Sequence, residues 1–412
     1  MIGPAFKETV DSLTSVCAAG WRNVPATPPV FVGRTSEKEK AQKEQEIEDA
    51  LSTIRSVAEQ QGRRSGCGKA AINSRIRATV AQLLLPDDRA DIEQFFEDCQ
   101  TSANEFASRA AEFDPKLSET DIFQALRNLW VFNSLQFSTG RSVRLSSSSF
   151  GYSLLYPYTD NILDDPEKSA EVKQSVIRSL GKLLCDSREE IPGPCPENLT
   201  RLVGMISDEY SPAGFPEVHN SLRAIHEAQC SALRLQYPVT GCDERDLLRL
   251  TIAKGGTSVL ADGYLVNGDL DTPSRRAAFG YGVLLQLIDD LQDLEEDSAR
   301  GHSTPFTRAL SSDVLGEATN QLFHYTRWIL SLMKVNESPR ERKLLKLIDR
   351  TCLVLILEAI DRHRKHYPAD YLRTIEEYSP VRLSHFADVR RRVPNSLAAI
   401  RRMPISRNLV CD

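Results

Sequence analysis

Residues Gly280-Tyr281-Gly282-Val283-Leu284-Leu285-Gln286-Leu287-Ile288-Asp289-Asp290-Leu291-Gln292-Asp293-Leu294-Glu295-Glu296-Asp297 decide how this chain reads. Nine residues, whose only polar side-chain groups are one amide and one phenol, run straight into six carboxylates within nine positions. An apolar run of that kind at helical spacing belongs in a core. Carboxylates entering from a buried helix are costly unless a counter-charge or a metal meets them. Residues four apart on a helix share a face, with Cβ atoms about 5–6 Å apart. Asp289, Asp293 and Asp297 therefore line up, and Glu296 continues the stripe. Ala278, Gly282 and Leu285 precede Asp289 on that face, with Gln286 beside them. Small and apolar positions above an acidic cluster leave room for an apolar ligand tail.

A second acidic cluster stands 129 positions upstream of Asp289, in Asp160-Asn161-Ile162-Leu163-Asp164-Asp165. Asp160 and Asp164 share one helical face, with Ser153 and Tyr156 before them, and Pro157 begins or kinks that helix. Solvated helix ends are the plain reading of either cluster alone. Two such clusters facing each other would repel unless a cation sat between them. Hard oxygen ligands with room for water suit Mg²⁺, which is held by one or two carboxylates plus substrate phosphates. The pair reads as a diphosphate site clamped by magnesium, with Asp160, Asp164, Asp165, Asp289, Asp290, Asp293 and Asp297 as the candidate ligands.

Cationic and polar partners are expected nearby. Arg141 and Arg144 precede the first motif, and Arg300 and His302 follow the second. Arg249 and Lys254 lie on a helix expected over 243–267, and Gln286 lies one turn before Asp289. Lys254 is followed by Gly255-Gly256, which costs about 1 kcal/mol per glycine in a helix interior. Such a pair marks a helix break or a packing kink. Asp262, within an otherwise apolar run, reads as a salt-bridge partner or a pocket carboxylate.

The 412 residues are 41% hydrophobic and 26% charged, an ordinary globular balance with material for a large core. A net charge of −6 argues against nucleic acid as the main partner. Basic residues cluster at Arg390-Arg391-Arg392 and Arg401-Arg402, and read as solvated helix ends. The nine cysteines are scattered without a Cys-x-x-Cys pair, so free thiols in a reducing cytosol are expected. No basic segment followed by a long apolar run opens the chain, and no stretch has the roughly 18 apolar residues of a membrane span. Cysteine stands second from the end, which is not a prenylation signal. The expectation is a cytoplasmic protein with no membrane span.

Residues 1–35, with Pro4, Pro25, Pro28 and Pro29, read as an irregular arm. Ser36 with Glu39 in the capping-box position opens a charged helix from Glu37 to Gln61. A Gly-rich, basic stretch through Gly62-Arg63-Arg64-Ser65-Gly66-Cys67-Gly68 reads as a linker. Beyond it, helices are expected at 69–84, 88–112, 118–137, 143–165, 168–187, 216–236, 243–267, 272–298, 313–334, 338–366 and 379–392. Period-two alternation is almost absent. The division expected is an N-terminal extension over 1–68 and one all-α catalytic domain over 69–412. Trp130, Phe132 and Phe137 fit core packing or a cavity wall, and His363 and His366 read as a surface helix end.

Leu285-Gln286-Leu287-Ile288-Asp289-Asp290-Leu291-Gln292-Asp293 resembles the second aspartate-rich motif of trans-isoprenyl diphosphate synthases. Its continuation Glu296-Asp297-Ser298-Ala299-Arg300-Gly301, with Pro305 following, looks like squalene and phytoene synthases. Asp160 to Asp165 resembles the Asp-x-x-x-Asp-Asp of squalene synthase. The i, i+4, i+8 aspartates match the second metal motif of terpene cyclases, and Gly255-Gly256 resembles their broken helix. The resemblance covers roughly residues 118–310. It implies the isoprenoid synthase fold, an all-α barrel of helices around a deep apolar cavity, with the two acidic motifs across its mouth. It also implies three Mg²⁺ ions that bind an allylic prenyl diphosphate and draw charge toward the leaving group. A homodimer is one assembly left open.

Departures from these families bear on the reaction. Ala261-Asp262-Gly263 stands where squalene and phytoene synthases carry Val-Ala-Gly, without their upstream tyrosine. The Gly-Gly-Lys-Arg signature of chain-elongating synthases and the arginine pair after their first motif are missing, with Lys168 isolated after Asp165. The reading preferred is a synthase that ionises one prenyl diphosphate and cyclises or deprotonates the product. Condensation of two isoprenoid diphosphates is the alternative, and a non-catalytic helical subunit the rival from another class.

Overall fold

A computed structural model describes residues 2–61, 89–163, 169–185, 197–232 and 244–392. Among these residues stand sixteen α-helices and no strand, so the all-α expectation holds. The expected helix over 69–84, residues 62–68 of the Gly-rich stretch, Asp164, Asp165, Lys168 and Arg401-Arg402 lie outside the described residues.

Local signals account for several boundaries. Ser36 and Glu39 close a capping box at the start of helix Glu37–Gln61: Ser36 N–H donates to Glu39 Oε2 (2.8 Å) and Glu39 N–H to Ser36 Oγ (3.3 Å). Ser118 and Asp121 repeat the device before helix Glu119–Ser138. Asp271 Oδ1 accepts the Ser274 amide at 2.9 Å where helix Thr272–Gln292 begins.

The N-terminal arm is not irregular. Pro4–Asn23 is a helix, whose buried stripe is Phe6, Leu13, Cys17, Ala18 and Trp21. Pro4 is tolerated there because it takes the first helical position, where no partner for its missing N–H is needed. Helices Glu197–Glu209, Pro305–Ser311 and Ala369–Glu376 form outside the segments where helices were expected.

The chain divides into two compact units. One comprises Met1–Ala19, Thr101–Gln286 and Leu332–Asn336; the other comprises Gly20–Gln100, Leu287–Ser331 and Glu337–Asp412. In the first, helix Ser147–Leu163 packs on Glu119–Ser138 and Glu197–Glu209, and helix Glu244–Asn267 packs on Glu119–Ser138 and Pro216–Ala232. Phe106, Phe113 and Phe150 stack edge and face in its core, with the Arg109 guanidinium 4.5 Å from the Phe150 ring centre. Fully burying one such phenylalanine stabilises by about 1.5–3 kcal/mol. Trp130, Phe132 and Phe137 are buried in this unit too.

In the second unit Trp21 meets Phe306 and Tyr325 edge-on, and Tyr325 stacks on Trp328. Arg382 reaches Glu37 and Glu44, and Arg392 pairs with Glu48, tying helix Leu383–Arg392 to helix Glu37–Gln61. Arg390 pairs with the buried carboxylates Glu358 and Asp361. Two of the three arginines read as a solvated helix end are therefore structural ties.

Among the described residues no helix is long and apolar enough to cross a membrane. Cys17, Cys99, Cys185, Cys230 and Cys352 are free thiols.

Candidate functional site

Helix Thr272–Gln292 carries the second acidic motif. Leu287, Ile288 and Leu291 are buried on it, while Asp289 is half-buried. One helix over 272–298 was expected, but the helix ends at Gln292. Asp293 takes φ −96°, ψ 13°, and a short helix, Leu294–Arg300, follows. The register survives this break. Asp293 N–H donates to the Asp289 carbonyl (2.9 Å), and Asp297 N–H to the Asp293 carbonyl (2.8 Å). Asp289, Asp293 and Asp297 thus stay one turn apart along the backbone, the spacing that puts carboxylates on one face. Asp290 lies on the buried side, 6% exposed. Asp297 Oδ1 sits 3.5 Å from His302 Nδ1, and Arg300 pairs with Glu296 at 2.9 Å.

Behind the break stand residues that sequence reasoning placed on the surface. His363 is 3% exposed, and its Nε2 lies 3.0 Å from the Gln292 carbonyl oxygen. Arg362 Nη1 reaches the same oxygen at 3.4 Å. Glu295 Oε1 meets Lys365 (3.0 Å) and His366 (3.2 Å), with His363 Nδ1 at 3.5 Å. The hydrogen bond from Lys365, with a smaller contribution from His363, holds the Glu295 carboxyl below the usual range. No local signal could have found this group, because its members lie some seventy positions from Gln292 in sequence.

In the first unit, helices Glu244–Asn267 and Thr272–Gln292 form an antiparallel hairpin. Gly255-Gly256 does not break its helix, which is continuous from Glu244 to Asn267. The glycines instead allow the two helices to touch. A Cβ at Gly255 would lie 2.5 Å from Gln286 Cβ and 2.7 Å from the Gly282 carbonyl oxygen, and one at Gly256 would strike the Phe279 ring. The close crossing sets Gln286, half-buried, against Gly255 and beside the level of exposed Lys254.

The hairpin separates the candidate cations. Arg141 Nε donates to Asn267 Oδ1 (3.0 Å) at the last residue of helix Glu244–Asn267. Arg249 lies eighteen residues earlier, about 27 Å along the axis at 1.5 Å per residue, with Nη1 donating to Ser15 Oγ (3.1 Å). Arg144 is held beside Arg141's end, its amide donating to Gln136 Oε1 (3.0 Å). Tyr152 Oη donates to the Ser258 carbonyl (2.9 Å), so the chain from Arg141 through helix Ser147–Leu163 runs against helix Glu244–Asn267. Arg141 and Arg144 fall at the Asn267 end of helix Glu244–Asn267, away from Arg249. Of Asp160 the structure describes the backbone, in helical register two turns beyond Ser153.

Asp262 is neither a partner of exposed Lys254 nor open to solvent. It is fully buried, and its Oδ1 accepts from Asn128 Nδ2 (3.0 Å), which also reaches Ser153 Oγ (3.2 Å). Its Oδ2 has no partner. Burial pushes its pKa well above the ordinary carboxylate value, against which the hydrogen bond from Asn128 acts only in part. A raised folded pKa contributes stability that is fully present below the unfolded value and lost as pH rises toward the folded one. Asp262→Asn, neutral at every pH, should match or exceed the parent's melting temperature at neutral pH and flatten this decline above the ordinary carboxylate range. Thermal melts across pH check it; an unchanged slope would remove Asp262 as the source.

Among the described residues no three His, Cys, Asp or Glu side chains converge into a ready-made metal cage. Mg²⁺ does not require one, since it keeps several waters and takes one or two carboxylates plus phosphate oxygens. An all-oxygen donor set at one-turn spacing, with Asp289 and Asp293 half-buried rather than sealed, fits that ion. Comparison with protein-family models, curated proteins and solved structures finds no match to this chain.

Proposed function

We propose that this protein is a Mg²⁺-dependent class I isoprenoid synthase. It ionises an allylic prenyl diphosphate, releases diphosphate and yields a cyclised or deprotonated terpene. The observation that carries the reading is the second acidic motif: three aspartates kept at one-turn spacing through a backbone break, directly after a buried apolar helix.

Asp289, Asp293 and Asp297 hold Mg²⁺ on one motif, and Asp160, Asp164 and Asp165 on the other. Bound Mg²⁺ neutralises the charge that develops on the departing diphosphate. Lys254 and Arg249 supply cationic hydrogen bonds to diphosphate oxygens, and the Gln286 amide donates beside them. Arg300 offers a further cation once it exchanges Glu296 for the ligand.

The separation along helix Glu244–Asn267 gives a discriminating test. Lys254→Ala removes a charged hydrogen bond worth about 1.5–3 kcal/mol, so KM for the prenyl diphosphate should rise tenfold or more with the melting temperature unchanged. Arg141→Ala, at the opposite end, should leave KM within about twofold. Equal effects in the two variants would contradict the placement. Product analysis settles the reaction class. A hydrocarbon or alcohol from C10 to C25 prenyl diphosphates alone supports ionisation and cyclisation. Product that forms only with added isopentenyl diphosphate means condensation, and no diphosphate release from any substrate removes the enzyme reading.

A further inference from the structure

We infer that Arg362 and His363 are positioning residues for the second acidic motif: they grip the Gln292 carbonyl and so fix the turn at Asp293 through which Asp289, Asp293 and Asp297 are spaced. The inference rests on the magnesium–diphosphate reading of that motif.

A helix end leaves backbone carbonyls without intrahelical partners. The Gln292 carbonyl stands at such an end and receives two side-chain donors from consecutive residues, His363 Nε2 at 3.0 Å and Arg362 Nη1 at 3.4 Å. A carbonyl can only accept, so His363 carries its proton on Nε2. Three residues further on, the Glu295 carboxylate is held by Lys365 and His366. The turn from Gln292 to Glu295 is thus held at a carbonyl and at a carboxylate by one short segment, Arg362 to His366. Asp293 sits between the two grips.

That segment is itself anchored. Arg362 binds Glu358 through Nη2 at 2.9 and 3.0 Å, and Arg390 binds Glu358 at 2.8 Å and also pairs with Asp361. Glu358 and Asp361 are both 3% exposed. Partners behind a metal ligand that fix its orientation commonly change metal affinity 10–100-fold when removed. Neither Arg362 nor His363 is assigned contact with substrate; each acts through the backbone of the motif.

Two measurements on His363→Ala and His363→Gln test this. Amide exchange across residues 289–301, without metal, reads the turn itself. Calorimetric titration with Mg²⁺ and inorganic pyrophosphate reads the site. His363→Ala should speed exchange of the Asp293 and Asp297 amides at least tenfold and weaken Mg²⁺–pyrophosphate binding about tenfold. Glutamine, which can place an N–H where Nε2 stands, should restore most of both. Should His363→Ala fail to fold, Glu295→Gln at the half-exposed grip should show the same two changes at smaller size. Unchanged exchange and affinity in a folded variant overturn the inference. A parent protein that binds no Mg²⁺–pyrophosphate overturns the reading of the site, and the positioning role with it; that result is read before any variant, whereas exchange judges the grip with no metal present.

Discussion

Gly282→Ala should cost this protein about 3 kcal/mol or more of its stability, the upper end for forcing extra volume into a packed interior. A Cβ at Gly282 would run into the Gly255 carbonyl oxygen, a backbone atom that cannot swing aside. Either the hairpin of helices Glu244–Asn267 and Thr272–Gln292 opens, or the variant does not fold. Against a total margin of about 5–15 kcal/mol, that loss is large. Gly255→Ala meets Gln286 and the Gly282 carbonyl and should behave similarly. Because the two positions touch, the double variant should cost less than the sum. Gly204 is the control: it lies in helix Glu197–Glu209 with open space around it. Gly204→Ala should stabilise by roughly 0.4–1 kcal/mol through the unfolded chain's lost freedom. Denaturant titrations of the four variants check the set, and a Gly282→Ala protein as stable as Gly204→Ala would refute the close crossing.

Asp289→Ala should reduce Mg²⁺-dependent turnover by about 10²–10³-fold, since stabilising charge on a leaving group contributes several kcal/mol and each 1.36 kcal/mol is a factor of ten. Asp289 and Asp293 are half-buried, so the variants should fold with melting temperatures close to the parent's. Asp160→Ala should lose turnover in the same way. Asp290→Ala should differ, since Asp290 is turned to the buried side and its removal should show first in stability. Steady-state kinetics beside thermal melts separate the two behaviours. Full activity in Asp289→Ala would take that carboxylate out of the mechanism.

What the sequence revealed follows how local the cause is. Ser36 with Glu39, and Ser118 with Asp121, announce helix starts because the capping groups sit three residues apart. The one-turn spacing of Asp289, Asp293 and Asp297 is legible for the same reason. The turn at Asp293 is not, because the donors on the Gln292 carbonyl come from Arg362 and His363. Gly255-Gly256 suggests a break when only helix propensity is weighed. Its cause is the partner helix at Phe279, Gly282 and Gln286, which periodicity cannot supply. The four prolines near the N-terminus obscured a regular apolar stripe from Phe6 to Trp21. Arg141 lies close to the first motif in sequence, yet its partner Asn267 puts it at the opposite end of helix Glu244–Asn267 from Arg249.

Release of diphosphate from prenyl diphosphates of increasing chain length, measured with Mg²⁺ and again after chelation by EDTA, decides whether this protein ionises such a substrate with Mg²⁺. The proposed function predicts release from at least one substrate with Mg²⁺, none after chelation, recovery when Mg²⁺ is restored, and loss in Asp289→Ala. Release that persists in EDTA, or no release from any chain length by the folded protein with Mg²⁺, would contradict it.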